Sequence, residues 1–196
     1  EEIETDKVIV DDFGGGYQAT EHLIHIGRKR IAHFYGPLNL LIGRNRFNGY
    51  KKALEDYNIP FDPELTVFCD SYEQAIEETR KLLSMPEPPD GIFAVNDLTA
   101  LGCMKAVKEF GNRVPEDVSV VGFTNWLISQ FADPPLTTID QKGYLMGTEA
   151  AELLLNRINH EESQETEKPI TKLLDCKLIV RESSQILNTT DPKTTG

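Results

Sequence analysis

Pro88-Pro89-Asp90-Gly91-Ile92-Phe93-Ala94-Val95-Asn96-Asp97-Leu98-Thr99-Ala100-Leu101-Gly102 is the stretch whose reading decides the fold. The prolines and Asp90-Gly91 make a break. Ile92 to Val95 is a short unbroken apolar run, as expected of a strand covered on both faces. Asn96-Asp97 follows at once. Asp97 stands where a helix N-cap belongs, ahead of Leu98, Ala100, Leu101, Met104 and Val107. A buried strand thus ends in two polar side chains and turns into a helix. In a parallel sheet that carboxyl end is where ligands bind. Phe93, Asn96 and Asp97 are therefore expected to mark the floor of a ligand crevice.

The same alternation extends in both directions. Upstream, Lys7 to Val10 reads as a strand, and Gly14-Gly15-Gly16 opens a helix that runs through Ile26 and stops at Gly27. Ile31 to Tyr35 is the next strand. A helix from Arg44 carries Phe47, Tyr50, Lys51, Leu54 and Tyr57. Thr66 to Cys69 is a short strand, and Ser71 with Gln74 caps a helix through Leu83. Downstream, Val118 to Gly122 is an apolar strand with Phe123-Thr124-Asn125 at its end. Thr137 to Asp140 is extended but follows a loop, which suits a crossover between two lobes better than another sheet member. A helix spans Gly143 to Asn159, a polar link His160 to Lys168, a strand-like run Ile170 to Val180, and Asn188 to Gly196 is a loose tail. Such alternation with short connections predicts an α/β fold, a parallel sheet flanked by helices.

Composition narrows the function. The 196 residues are 39% hydrophobic, and no apolar run approaches the roughly 20 residues of a membrane span. Net charge is −12; an acidic surface repels phosphate backbones, so this stretch by itself is not expected to bind nucleic acid. The acidic opening Glu1 to Asp6 does not resemble a signal peptide, which points to the cytoplasm. Cys69, Cys103 and Cys176 are far apart and in apolar contexts, as expected of plain thiols rather than a disulfide framework or metal knuckle.

Several residues invite a chemical reading. Gly14, Gly16 and Ala19 fit G-x-G-x-x-A, but the next strand ends Phe34-Tyr35-Gly36 without the acid a ribose needs, so the glycines are read as a tight turn. Asp11-Asp12 reads as a hinge or rim, and His22 with His25 as surface or rim histidines. Arg44 and Arg46 open a helix, where a cation opposes the macrodipole by ~0.3–1 kcal/mol. A ligand, a carboxylate or solvent must offset that. No nucleophile triad, paired acids or metal set is apparent, so no enzyme, cofactor or metal is expected. Asn188-Thr189-Thr190 matches a glycosylation acceptor but has no secretory context.

Seven phrases, in order, resemble the LacI/GalR family of bacterial transcription regulators. They are Gly15-Gly16-Tyr17-Gln18-Ala19-Thr20-Glu21-His22-Leu23, Gly27-Arg28-Lys29-Arg30-Ile31-Ala32, Arg44-Asn45-Arg46-Phe47-Asn48-Gly49-Tyr50, Ala94-Val95-Asn96-Asp97, Val114-Pro115-Glu116-Asp117-Val118-Ser119-Val120-Val121-Gly122-Phe123, Pro135-Leu136-Thr137-Thr138-Ile139 and Ile179-Val180-Arg181-Glu182-Ser183. The resemblance covers Lys7 to Ser184. It implies a type I periplasmic-binding-protein-like core of two α/β lobes around an effector cleft, here mainly the C-terminal lobe. Residues 12–139 and 170–186 would form that lobe, 1–11 and 140–169 remnants of the N-terminal lobe, and 187–196 a flexible tail. The chain would be truncated at its N-terminus.

The family's contact positions fall on Arg46, Asn96, Phe93, Gln141 and Thr124, with Asp97 and Ser71 or Tyr72 also lining the cleft. Thr124 stands where the family usually carries Asp, and Leu40 and Ile42 stand where its purine branch is polar. The resemblance therefore implies a sugar or sugar derivative as effector. It implies a cytoplasmic homodimer with Leu98, Leu101, Trp126, Leu127 and Phe131 on the dimer face. Operator DNA would be contacted only through a helix-turn-helix outside these residues. The alternative is a secreted sugar-binding protein of a transport system.

Overall fold

The computed structural model describes residues 4–69, 71–160 and 168–185. The Asn188–Gly196 tail, its acceptor motif and most of the His160–Lys168 link lie outside them.

Six strands form one sheet in the order β3-β2-β4-β5-β6-β8. They are β2 (Ile31–Tyr35), β3 (Thr66–Phe68), β4 (Gly91–Ala94), β5 (Ser119–Thr124), β6 (Thr137–Asp140) and β8 (Lys177–Ile179). All pairs are parallel except β6 with β8. The alternation of apolar residues along the strands splits the core by face. Ala32, Phe34, Ile92, Ala94 and Val120 pack with α3 (Tyr72–Leu83) and α4 (Asp97–Glu109). Ile31, Phe93, Val121, Phe123 and Ile139 pack with α1 (Asp12–His25) and α2 (Leu41–Asp56). The result is a three-layer α/β/α unit.

A second, small unit stands beside it. β1 (Lys7–Val10) pairs in parallel with β7 (Thr171–Leu174), and α6 (Gly143–His160) packs on β1. Arg157 holds this unit together: its Nε donates to Asp6 at 2.7 Å. That bond, with the Ile170 amide donating to the same carboxylate, brings Asp6 down to about 2.

Several expectations shift here. Thr137 to Asp140 is a full sheet member between β5 and β8, because its apolar Ile139 faces the α1/α2 core. The run from Ile170 to Val180 divides: β7 belongs with β1 and β8 with the large sheet, so the chain returns to the large unit at Asp175–Cys176 rather than at Ile170. Helix α1 starts at Asp12 rather than Gly14, because the Asp11 carboxylate caps it by accepting from the Gly14 amide at 2.8 Å. Helix α2 starts at Leu41, placing Arg46 in its second turn.

Candidate functional site

Parallel order puts the carboxyl ends of β2, β4, β5 and β6 on one edge of the sheet. Tyr35-Gly36, Val95-Asn96, Thr124-Asn125 and Asp140-Gln141 are gathered there. The edge is built around a buried ion pair. Arg46 is 4% exposed; its Nε donates to Asp12 Oδ1 at 2.8 Å and its Nη2 lies 2.8 Å from the same oxygen. Its Nη1 donates to the Val95 carbonyl at 2.6 Å, and the guanidinium carbon sits 3.6 Å above the Phe123 ring. One side chain on α2 thus ties together the start of α1, the end of β4 and the face of β5. In the second turn of α2 Arg46 lies beyond the macrodipole's reach, and its buried charge is balanced by Asp12. Burial pushes the Asp12 carboxyl above its ordinary range, and the charge of Arg46 pulls it back. Arg44, two residues earlier, is exposed.

Asn96, not Asp97, caps α4: its Oδ1 accepts from the Thr99 amide at 2.9 Å. The residue is half-buried, and its amide N–H pair is left as donors at the edge. Asp97 does not line the crevice: it is the first helical residue and fully buried, with both carboxylate oxygens engaged internally. Its Oδ1 accepts from the Thr138 hydroxyl at 2.5 Å, and its Oδ2 from the Trp126 amide at 2.8 Å and the Thr124 hydroxyl at 3.2 Å. Thr124 and Gln141 are half-buried at the ends of β5 and β6.

Phe93 is not on the crevice floor. It lies inside β4 with its ring turned into the α1/α2 core, stacked on His33 at 4.5 Å. Ser71 caps α3, accepting from the Gln74 amide at 3.2 Å. With Tyr72 it borders a different feature, a groove of about 910 Å³ also lined by Leu98, Leu101, Ile128 and Phe131. Trp126 and Leu127 flank this groove, 61% and 69% exposed. Of the five residues expected on a dimer face, Leu98, Trp126, Leu127 and Phe131 are exposed, while Leu101 is partly buried against the core, and the groove's lining also carries Glu73, Lys105, Lys108, Glu109 and Asp133.

Sequence reasoning missed one participant, and its reading of Cys176 as a plain thiol agrees with the structure. Arg181 follows β8 and donates through Nη2 to Asn125 Oδ1 at 2.8 Å and through Nη1 to the Leu136 carbonyl at 2.8 Å and to Ser129 Oγ at 3.1 Å. Its place in Ile179-Val180-Arg181-Glu182-Ser183 was the available signal. Cys176 lies beside Asp11, Asp12 and Arg46; burial and the two carboxylates push its thiol up to about 12, so it is no nucleophile at neutral pH. Among the described residues no three His, Cys, Asp or Glu side chains gather to hold a metal. No described helix is long and apolar enough to cross a membrane.

Residues 20–184 match the family model of the periplasmic binding protein-like domain. The chain belongs to that family. Its relatives place it with the LacI-type regulators. It is 38% identical over 183 residues to the HTH-type transcriptional regulator CelR of Thermobifida fusca, covering 93% of this chain and 53% of CelR. It is 36% identical over 187 residues to the HTH-type transcriptional repressor CytR of Escherichia coli K12, covering 95% and 54%. The periplasmic-binding-protein-like chain thus spans about half the length of the curated relatives it matches. Among solved structures, a CelR–cellobiose complex aligns at TM-score 0.85 and 37% identity, covering 94% of this chain and 55% of that one. A LacI-family regulator from Enterococcus faecium with bound ribose aligns at TM-score 0.80 and 33% identity, covering 94% and 67%. These relatives are transcriptional regulators, not enzymes.

Proposed function

We propose that this chain is the effector-sensing core of a cytoplasmic, dimeric LacI-type regulator, and that its effector is a small neutral sugar. The observation that carries this is the electrostatic balance of the edge. The Asp12–Arg46 pair cancels its own charge, Asp97 is spent on three internal donors, and the half-buried groups at the rim include the uncharged Asn96, Thr124 and Gln141, with the Asp140 carboxylate turned to the Lys142 amide at 2.8 Å. Uncharged amides and a hydroxyl suit a polyhydroxy ligand, and the nearby carboxylates of Asp11 and Asp140 disfavour a phosphate. The similar structures, one a complex with cellobiose and one with bound ribose, support the same class.

The mechanism is a population shift. A sugar seated at this edge, and held also by the opposite lobe, favours one arrangement of the lobes over another. That changes how a dimer presents its DNA-binding heads, with a coupling of about 1–3 kcal/mol. Operator contact belongs to a helix-turn-helix outside these residues, in keeping with the net charge of −12.

The test is thermal unfolding of the full-length protein against a panel of neutral sugars, including cellobiose and ribose, beside their phosphorylated counterparts. A ligand at about 100 times its Kd stabilises by about 2.7 kcal/mol. A neutral sugar is expected to raise Tm and the phosphorylated forms are not. Asn96→Ser keeps an N-cap oxygen while removing the amide donors, so it is expected to weaken binding about tenfold at nearly unchanged stability. A preference for phosphorylated sugars, or an Asn96→Ser protein that binds as wild type does, counts against this assignment.

A further inference from the structure

The segment from Thr124 to Phe131 joins two places that have no other reason to communicate. Its first residue lies at the candidate sugar edge; its last lies on the apolar groove. Its backbone is held in an unusual shape. Thr124 has φ +120° and Asn125 φ +55°, both in the left-handed region that disfavours side-chain-bearing residues. Such a conformation persists only where surrounding bonds fix it.

Two groups do the fixing. On the sheet side, the Asp97 carboxylate accepts from the Thr124 hydroxyl and the Trp126 amide with the same oxygen, Oδ2. Its other oxygen is engaged by Thr138, whose hydroxyl in turn lies 3.3 Å from the Asn125 amide as acceptor. On the far side, Arg181 holds Asn125 Oδ1 and Ser129 Oγ. The space around Asp97 is closed: a Cβ on Gly122 would lie 2.5 Å from its Oδ1. Any shift of Asp97 disturbs its bonds to Thr138, Trp126 and Thr124 together. If a ligand draws the Thr124 hydroxyl away, Oδ2 loses one of two donors, and the bond it keeps is the one that sets the start of α5 (Leu127–Phe131).

We infer that Asp97 is a positioning residue that couples sugar occupancy at Thr124 to the placement of Trp126 and the apolar surface beside it. This rests on the neutral-sugar reading and adds the route by which that site reaches the apolar face. The coupling works because one carboxylate oxygen serves donors from both places.

Trp126 is the single tryptophan of these 196 residues, so the difference in emission between the full-length protein and its Trp126→Phe variant reports on this segment. The experiment measures two quantities on the full-length protein with the same panel of neutral sugars: binding by calorimetry, and the emission maximum of Trp126. In wild type, the sugar that binds is expected to shift the emission. Asp97→Asn preserves shape but replaces one acceptor oxygen with a donor. It is expected still to bind that sugar, at an affinity calorimetry records, while losing the emission shift at saturation, a separation that a merely structural role would not produce. Thr124→Val, equal in shape, removes only the donor on the sugar side and serves if Asp97→Asn folds poorly; binding weakens and the shift at saturation disappears. Binding without any emission change in wild type, or an undiminished shift in either variant at saturation, overturns the coupling and leaves the sugar site standing. Absence of calorimetric binding by every sugar overturns the sugar site, and the coupling with it.

Discussion

His33 shows how much a single side chain can set. It lies fully buried in β2, its Nδ1–H donating to the Phe93 carbonyl at 2.9 Å, with Nε2 unpartnered among aromatic rings. Burial holds the folded imidazole near 3, against an ordinary value of 6.5. The unfolded chain therefore binds a proton that the folded chain refuses. Stability from this residue is complete above pH 6.5 and is lost as pH falls from 6.5 toward 3, by on the order of 3–5 kcal/mol in the limit. His33→Phe, placed among Phe47, Tyr50 and Phe93, is expected to flatten the fall in urea midpoint between pH 7 and pH 4.5. An unchanged slope would assign the acid sensitivity elsewhere. Arg46 gives a second case. Arg46→Ala strands the Asp12 carboxylate in a buried site and is expected to cost about 3–5 kcal/mol. Combining Asp12→Leu with Arg46→Met is expected to restore most of that loss in denaturant titrations.

At the scale of elements, the crossing of α1 and α2 rests on glycines. A Cβ on Gly16 would lie 2.4 Å from the Arg46 carbonyl oxygen, and one on Gly49 2.2 Å from that of Phe13. Backbone cannot yield as a flexible side chain does. Gly49→Ala is therefore expected to destabilise by about 1–3 kcal/mol or more. Gly147, inside α6, has nothing within 4 Å of its Cβ position. Gly147→Ala is expected to be neutral or stabilising by up to about 1 kcal/mol. Thermal melts of the two variants test both signs. The same contrast explains what was legible beforehand. Apolar runs such as Ile92–Val95 and Val118–Gly122 announce strands because both faces are covered. The run from Ile170 to Val180 announces one strand where there are two, since a change of sheet leaves no mark on hydrophobicity. Thr137–Asp140 hides because its buried threonines, Thr137 and Thr138, are satisfied by Ser183, Arg181 and Asp97 rather than by apolar contacts. At the site, the G-x-G-x-x-A pattern proves to be helix-crossing geometry. Arg46 was legible as a cation in need of a partner, but residue types alone do not say whether that partner is a ligand or Asp12. Phe93 misled because a strand's last residues alternate faces, and only Val95 and Asn96 reach the edge.

For the whole molecule, the question is what the surface around Trp126 is for. Phe131 is 76% exposed and Leu127 69%, and Phe131 shares with Leu98 and Ile128 a groove rimmed by Glu73, Lys105, Lys108, Glu109 and Asp133, exposed apolar groups with a polar rim of a kind that marks an interaction surface. A second copy of the chain is the occupant that the proposed dimer would place here, and a stable interface needs about 1,200–2,000 Å² of total buried surface. Charge sets the conditions. Two copies carrying −12 each repel, and salt screens that repulsion with a Debye length of about 10 Å at 0.1 M. Association through this face is therefore expected to tighten as salt rises, as burial of apolar area against a repulsive background must. Sedimentation of the chain at low and at moderate ionic strength tests that sign. Phe131→Glu with Leu127→Glu places two carboxylates in the face and is expected to leave a folded monomer at concentrations where wild type is dimeric. Neither residue reaches the sheet edge, so sugar-dependent thermal stabilisation should survive in that monomer. A variant still dimeric would place the contact elsewhere, and this face would then need a different partner.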